Sequence, residues 1–346
     1  MSTTTNTVVL FKEDPGRGWV EEKHMEVTKQ DFNADAVELK EGEVLLKIKY
    51  LSLDPYMRGR MQTKAKSYSA PFEIGKPLQA GGIGEVYRVG KGTTLKTGDL
   101  VLGFVEWAQW FVAAEKGLKK LEIFDGVPIS YNLGVLGMPG ITAYGGLMKI
   151  GEPKEGETVY VSGAAGAVGL LVGQLARLRG CRVVGSAGTD DKVKVLLEEA
   201  GYDAAFNYKT VKSLDAAFKE HCPKGIDIYF DNVGGEMLDV ALTHMNVHSR
   251  IPVCGAISQY NASEQYGVKN LMQTVIKRIK IQGFLSTDLY GDQELVKNFT
   301  KDVVALVKEG KIVYKEHIVE GIENAPSAFV GLLKGANTGK QIIKVA

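Results

Sequence analysis

Apolar and polar positions change rhythm once along this chain. Up to about residue 130, apolar residues fall in short runs rich in β-branched and aromatic side chains: Val44–Leu51 (VLLKIKYL), Gly82–Val89 (GIGEVYRV), Leu100–Phe104 and Trp110–Ala113. Glycine-bearing turns (EGE, GKG, KTGD) separate them, which is the pattern of a mostly antiparallel, partly open barrel. From Thr158 onward, short apolar strands alternate with helical stretches. The pattern predicts strands at Thr158–Ser162, Arg182–Ser186, Ala204–Asn207, Ile226–Phe230, Ser249–Cys254 and Ile279–Phe284. It predicts helices between them at Val168–Arg179, Asp191–Ala200, Ser213–Cys222 and Gly235–Leu242. Strand–helix alternation of this kind gives an α/β fold, a doubly wound parallel sheet of Rossmann type beside a β-rich domain. Two further strand-like runs, Ile312–Glu316 and Gln341–Val345, end the chain. They are expected to return to the first domain. The β-rich domain would then comprise 1–130 and 311–346, with the α/β domain, 131–310, inserted into it.

The passage Thr158–Ala176, TVYVSGAAGAVGLLVGQLA, reads as strand, glycine-rich turn and helix start. That order aims a helix N-terminus, with its unpaired N–H groups, at the end of a strand, a seat for the pyrophosphate of a dinucleotide. Gly166 and Gly169 lack a Cβ, so phosphate and helix can approach the backbone. The segment carries no charge and contains a GxxxG at Gly169 and Gly173, so a membrane helix competes with this reading. The β-branched start, the interrupting glycines, and Arg177 and Arg179 followed by a second apolar run (CRVVGSAG) favour a βαβ unit.

Charge narrows the partners. With 42 basic and 41 acidic side chains the net charge is +1, so no basic field exists to recruit nucleic acid or anionic lipid. The first residues lack a basic stretch and a long apolar core, so no secretory signal is read there. Three scattered cysteines (Cys181, Cys222, Cys254) fit neither a disulfide framework nor a four-thiolate zinc site. A cytoplasmic location is the expectation.

An NAD site places a carboxylate about 20 residues past the glycines, on the ribose 2′-hydroxyl. Here that position is Ser186, and the strand tip Ser186, Ala187, Gly188 is small and neutral. Lys192 lies one turn into the next helix and can meet a 2′-phosphate. NADPH is therefore expected rather than NADH, with Asp190 and Asp191 read as the cap and first turn of that helix.

These motifs identify a resemblance. The chain resembles the zinc-independent medium-chain dehydrogenases/reductases of the leukotriene/prostaglandin reductase and plant double-bond reductase group, including the bacterial reductases of curcumin-like enones. The resemblance covers nearly the whole chain. It rests on Leu51–Met61 (LSLDPYMRGRM), Leu136–Tyr144 (LGMPGITAY), Gly163–Gly169 (GAAGAVG), Asn207–Lys209 (NYK), Asp231–Gly235 (DNVGG), Pro252–Asn261 (PVCGAISQYN) and Gly331–Lys340 (GLLKGANTGK). It implies a GroES-like β domain with a Rossmann domain, an active site between them, reduction of the C=C bond of α,β-unsaturated ketones and aldehydes, and a homodimer.

The resemblance also implies residue roles. Gly166, Ala167, Val168 and Gly169 would hold the pyrophosphate, and Lys192 and Tyr208 the 2′-phosphate end. Asn232 would sit by the ribose and nicotinamide bridge. Cys254, Gly255, Ala256, Ile257, Ser258, Tyr260, Phe284, Leu285, Ser286 and Asn337 would line the nicotinamide side. One departure is visible: the family often has Ala where Gly163 stands, which is expected to loosen the turn slightly. Zinc-dependent relatives carry a Cys before an Asp and a later Gly-His-Glu; the matching stretches here, SLDPYM and KPLQAGGIGEV, offer neither thiolate nor imidazole. No metal is therefore expected, and zinc-assisted alcohol oxidation is disfavoured.

Hydride addition to an enone leaves negative charge on oxygen and needs a proton at the α-carbon. Tyr260, in a loop past the strand that ends at Cys254, is the first candidate donor, with the cofactor's ribose hydroxyl as an alternative. Tyr56 and Tyr68, in segments of the β domain rich in Pro, Gly and Ser, are the next. Among the histidines, His244 and His248 have the i, i+4 spacing of one helix face, yet no acidic third ligand lies in HMNVH. Quinone reduction, or cofactor binding without catalysis, are the competing functions.

Overall fold

The structure is a computed structural model that describes residues 4–345. It divides into two compact units, one formed by the described parts of Met1–Leu133 and Glu316–Ala346, the other by Gly134–Lys315. The chain thus enters the second unit from the first and returns to it.

Among the described residues the strands are β1 (Thr4–Phe11), β2 (Met25–Phe32), β3 (Glu43–Ser52), β4 (Gln79–Val89), β5 (Leu100–Glu106), β6 (Trp110–Ala114), β7 (Leu118–Lys120), β8 (Thr158–Val161), β9 (Arg182–Ala187), β10 (Ala204–Asn207), β11 (Ile226–Phe230), β12 (Met245–Val253), β13 (Lys280–Gly283), β14 (Glu316–Glu320) and β15 (Lys340–Lys344).

In the first unit a seven-stranded sheet runs β14-β15-β3-β4-β5-β7, with β6 paired on β3. All pairs are antiparallel except β14 with β15. β3 anchors it because EVLLKIKYLS buries Val44, Leu45, Leu46, Ile48 and Leu51 completely. Its core gathers Val44, Leu46, Ile48 and Leu51 with Phe11, Trp107, Phe329 and Ile343. The hairpin β1–β2 registers Thr4 with Phe32 and Phe11 with Met25. Sequence patterning does not find it, because β2 exposes most of its length and therefore shows no apolar alternation.

The second unit is a six-stranded parallel sheet in the order β10-β9-β8-β11-β12-β13. This is the 3-2-1-4-5-6 order of the doubly wound nucleotide-binding fold, with the switch point between β8 and β11. β8 (TVYV) is buried throughout, as a central parallel strand covered on both faces must be. β13 at the edge is exposed at every residue. The helix after the glycine turn, Gly169–Leu178, is ten residues long, and no helix among the described residues is long and apolar enough to cross a membrane.

The structure corrects several details. Residues 312–315 form no strand; β14 begins at Glu316, four residues later than the apolar run suggests. The stretch expected as one helix from Asp191 is an α segment, Asp190–Lys194, followed by a π segment, Val195–Glu199. Its cap is Thr189, whose hydroxyl accepts from Lys192 N at 3.3 Å, so both aspartates lie inside the first turn. His244 ends a helix while His248 lies in β12 with φ 62°, so the two do not share a helix face. Gly163 has φ 59°, a left-handed conformation that glycine adopts without strain, so glycine suits this turn rather than loosening it. The long helix Gln293–Lys308, capped by Asp292, has no counterpart in the sequence reading.

Candidate active site

The second unit gathers its sequence-predicted residues by topology. In a parallel sheet all carboxyl ends lie along one edge, and every predicted cofactor residue of this unit follows such an end. Gly166 to Gly169 follow β8, Lys192 follows β9, Tyr208 follows β10, Asn232 follows β11, Cys254 to Tyr260 follow β12, and Phe284 to Ser286 follow β13. Ligands of open α/β sheets bind along this edge, at the switch point.

At the turn after β8 the backbone is bare and tightly folded. A Cβ on Gly169 would stand 2.6 Å from Gly163 O and 2.7 Å from Ala164 Cα, so only glycine lets the helix start this close to the strand. A Cβ on Gly166 would meet only Gly163 O, at 3.2 Å, so no side chain fills the space above the turn. Leu170 N donates to Gly166 O at 3.0 Å and Leu171 N to Val168 O at 3.2 Å, so the turn closes directly into the helix. Such a turn accommodates a phosphate.

Across the switch point, Asp231 organises the facing loop. Its Oδ1 accepts from the Tyr229 hydroxyl (2.6 Å), Gly234 N (2.8 Å), Val233 N (2.9 Å) and the Ser162 hydroxyl (3.2 Å). Its Oδ2 is buried with no hydrogen-bond partner among the described residues. Burial raises the pKa of this carboxyl against the pull of those donors. Asn232 is pinned by its own Nδ2, which donates to Ser162 O at 2.8 Å. The loop in turn holds the segment after β12: Ile257 N donates to Asn232 O, and Ser258 Oγ to Val233 O at 2.6 Å. Tyr260 closes the short helix Ile257–Tyr260, and its hydroxyl accepts from Ala256 N at 3.4 Å. Cys254 is half-buried beside Asp231; burial first, then the Asp231 charge, pushes its thiol up to about 12. Burial likewise raises Cys181 to about 11 and Cys222 to about 12.

The tip of β9 is neutral, with Lys192 and Lys209 near it and Asp190 held by Asn207 Nδ2 at 2.8 Å. A Cβ on Gly188 would stand 3.0 Å from the Tyr208 hydroxyl and 3.4 Å from Lys209 Cε. Burial and then the Lys209 charge lower the Lys192 pKa, so an anion placed here would relieve Lys192. Sequence reasoning missed Lys209, although it sits in the NYK run that follows β10. Phe284 packs edge-on against Phe230, 6.2 Å between centroids, and closes on Gly146. Among the described residues no group of three His, Cys, Asp or Glu stands together as a metal site.

Residues 9–121 match the family model described as the N-terminal domain of oxidoreductase, and residues 167–308 the one described as zinc-binding dehydrogenase. The chain is 45% identical over 330 residues to the NADP(+)-dependent 2-alkenal reductase of Nicotiana tabacum, covering 95% of this chain and 94% of that one. It is 46% identical over 311 residues to the NADPH-dependent curcumin reductase of Escherichia coli, covering 88% of each. This chain belongs to the medium-chain dehydrogenase/reductase family. Among solved structures, CurA from Vibrio vulnificus in complex with NADPH matches with a TM-score of 0.89 and 40% identity, over 98% of this chain and 99% of that one.

This medium-chain reductase carries its remaining predicted residues in the first unit. Tyr56 precedes the helical turn Met57–Arg60 and is half-buried. Burial raises its pKa, the Asp54 charge adds to this, and a hydrogen bond from Arg60 opposes both. Tyr68 is 64% exposed and lies within electrostatic reach of the Tyr56 phenol. Arg60 donates to Ala70 O at 2.8 Å and lies 4.1 Å over the Phe72 ring, so it braces the segment between the two tyrosines. Arg58 is fully buried and donates to Gly16 O and Gly18 O, a structural role. Asn337 is buried and donates from Nδ2 to Gly339 O at 2.7 Å. Sequence reasoning also missed the buried ion pair of Asp54 with Lys340, at 3.1 Å, although both residues lie in matched motifs.

Proposed function

We propose that this chain is an NADPH-dependent reductase of the C=C bond of α,β-unsaturated ketones and aldehydes, bulky curcumin-like enones included. The observation that supports it most is the neutral tip of β9 flanked by Lys192 and Lys209, on a fold whose 45–46% identical relatives are an alkenal and a curcumin reductase. The residues fit the cofactor: the empty space over Gly166 accepts a pyrophosphate, and the lysine pair with Tyr208 accepts a 2′-phosphate. Asn232 and residues 254–258 and 284–286 are proposed to line the nicotinamide. When bound, NADPH supplies a hydride to the β-carbon.

The chain's own task is then to hold the carbonyl oxygen as it gains charge and to let a proton reach the α-carbon. A phenol does both only while protonated. Burial and the nearby Asp54 charge keep Tyr56 in that form, and Tyr260 stands at the sheet edge past β12. General acid catalysis of this kind contributes roughly 10²–10⁴-fold. Tyr260 is assigned the donor role, with Tyr56 and Tyr68 orienting the substrate.

Loss of NADPH absorbance with an enone, with a quinone and with neither tests the reading. Consumption with the enone alone supports it. Consumption with the quinone alone makes the chain a quinone reductase, and binding without consumption makes it a non-catalytic NADPH protein.

A homodimer is proposed as well. Edge strand β13 is exposed along its length, and Leu271, Met272, Val275, Ile276 and Ile281 are exposed nearby in the chain. An open apolar edge of this kind is covered in stable proteins. Light scattering that gives the mass of one chain at micromolar concentration would remove the proposal. Three unbridged cysteines suit the reducing cytoplasm, the proposed location.

A further inference from the structure

The Asp54–Lys340 pair has no role in the chemistry outlined above, and it is deeply buried. Lys340 is 1% exposed. Its ammonium lies 3.1 Å from Asp54 Oδ1 and donates to Leu53 O at 2.6 Å and Gln341 O at 2.9 Å, so all three N–H groups are used. The other Asp54 oxygen accepts from the Ser52 hydroxyl. Glu316, registered opposite Lys340 on β14, accepts at Oε2 from the Ser130 hydroxyl at 2.8 Å, and burial raises its pKa.

The pair joins two segments 286 positions apart in the chain, the difference between 54 and 340. On one side Asp54 is two residues before Tyr56, and its carbonyl accepts from Met57 N at 3.1 Å, opening the turn that follows Tyr56. On the other, Lys340 is three residues after Asn337. Leu53 N donates to Gln341 O at 3.2 Å, so backbone and side chains bind the two segments together.

Stability alone does not account for such a pair. A buried ion pair roughly breaks even against a well-packed apolar pair, because desolvation offsets the attraction. An apolar pair would hold β15 beside the end of β3, but it would not direct the Leu53 carbonyl, or fix where Tyr56 leaves the sheet.

We propose that Lys340 and Asp54 are positioning residues, which fix the Leu53–Tyr56 and Asn337–Lys340 segments so that Tyr56 is held ready for substrate. This rests on the reductase reading and deepens it. It assigns the pair to turnover rather than to affinity.

The test compares Asp54→Ala with Asp54→Asn in the full chain. Misplacing a substrate-positioning group by about 1 Å costs on the order of 10²-fold in rate. Asp54→Ala should therefore lose about 30-fold in kcat for the enone, while KM and the Kd for NADPH stay within about two-fold. Asp54→Asn keeps an oxygen that accepts from Lys340 and should stay within about three-fold of wild type. Hydrogen exchange at the Leu53 and Met57 amides should quicken in Asp54→Ala but not in Asp54→Asn. Wild-type kcat in a folded Asp54→Ala chain, or equal losses in both variants, overturns the proposal.

If Asp54→Ala does not fold, the double variant Asp54→Leu with Lys340→Met takes its place. Wild-type kcat in the folded double variant overturns the proposal, and the same 30-fold loss (about, as above) supports it. If the wild-type chain reduces no enone, the reductase reading falls. The exchange rates at Leu53 and Met57 then decide alone whether the pair orders this segment.

Discussion

At Gly163–Gly169 the working groups are backbone amides, and what matters is the absence of side chains. At Leu53–Arg60 the working groups are side chains, held by buried charges drawn from distant parts of the chain. The first site is local: one strand, one turn and one helix complete it, and a single Cβ on Gly169 would block it at 2.6 Å. The second depends on partners from β15, from residues 70–79 and from the loop at 16–18. A site built from absences is easily destroyed by adding atoms. A site built from presences fails by degrees as its supports are removed.

The sharpest way to break this comparison is Gly169→Val. Overpacking at such a contact costs about 1–3 kcal/mol, and here it also pushes the helix off its strand. Affinity for NADPH should fall by more than about 100-fold in a fluorescence titration, which corresponds to about 2.7 kcal/mol. Near-wild-type affinity would mean that the turn is not the phosphate seat.

Next in size is the cation pair. Hydrogen bonds to charged groups contribute about 1.5–3 kcal/mol, so Lys192→Ala and Lys209→Ala should each weaken NADPH by about ten-fold or more. NADH affinity should hardly move. An unchanged ratio of the two cofactors in both variants would reduce these lysines to surface charges.

Tyr260→Phe removes one side-chain hydroxyl at the sheet edge past β12. Its kcat should drop about ten-fold, at the low end for a general acid because the cofactor's ribose hydroxyl can share the task, with NADPH binding retained. Full turnover in that variant would take Tyr260 out of the mechanism. The smallest effect is expected from Tyr68→Phe, whose side chain is 64% exposed: about two-fold in KM for a bulky enone. A larger loss than in Tyr260→Phe would reverse the order of the two tyrosines.

The same contrast explains what can be read from sequence. The turn, the six strands of the parallel sheet and the neutral tip of β9 follow from local patterning. Strand runs such as TVYV and the glycines that end them carry their own geometry. The pairing of Asp54 with Lys340 has no local signature, because 286 positions separate residues that differ from any other Asp and Lys only in being buried. Lys209 was hidden for a related reason: only the approach of β10 to β9 brings its side chain over Gly188. The hairpin β1–β2 escaped because its outer strand is mostly exposed, and β14 was misplaced because the apolar residues before it pack without joining a sheet. Tyr56, Tyr68 and Asn337 entered the reading through family resemblance, not through spacing.

The buried cysteines carry a consequence for the chemistry proposed here. Conjugated enals are soft electrophiles that alkylate ionised sulfur. Burial and the Asp231 charge push the thiol of half-buried Cys254 up to about 12, which keeps it protonated at neutral pH. Cys181 and Cys222 are shielded in the same way. The fold thus withholds a nucleophile from the reagents it would handle, and a catalyst of this design would outlast its own toxic substrates.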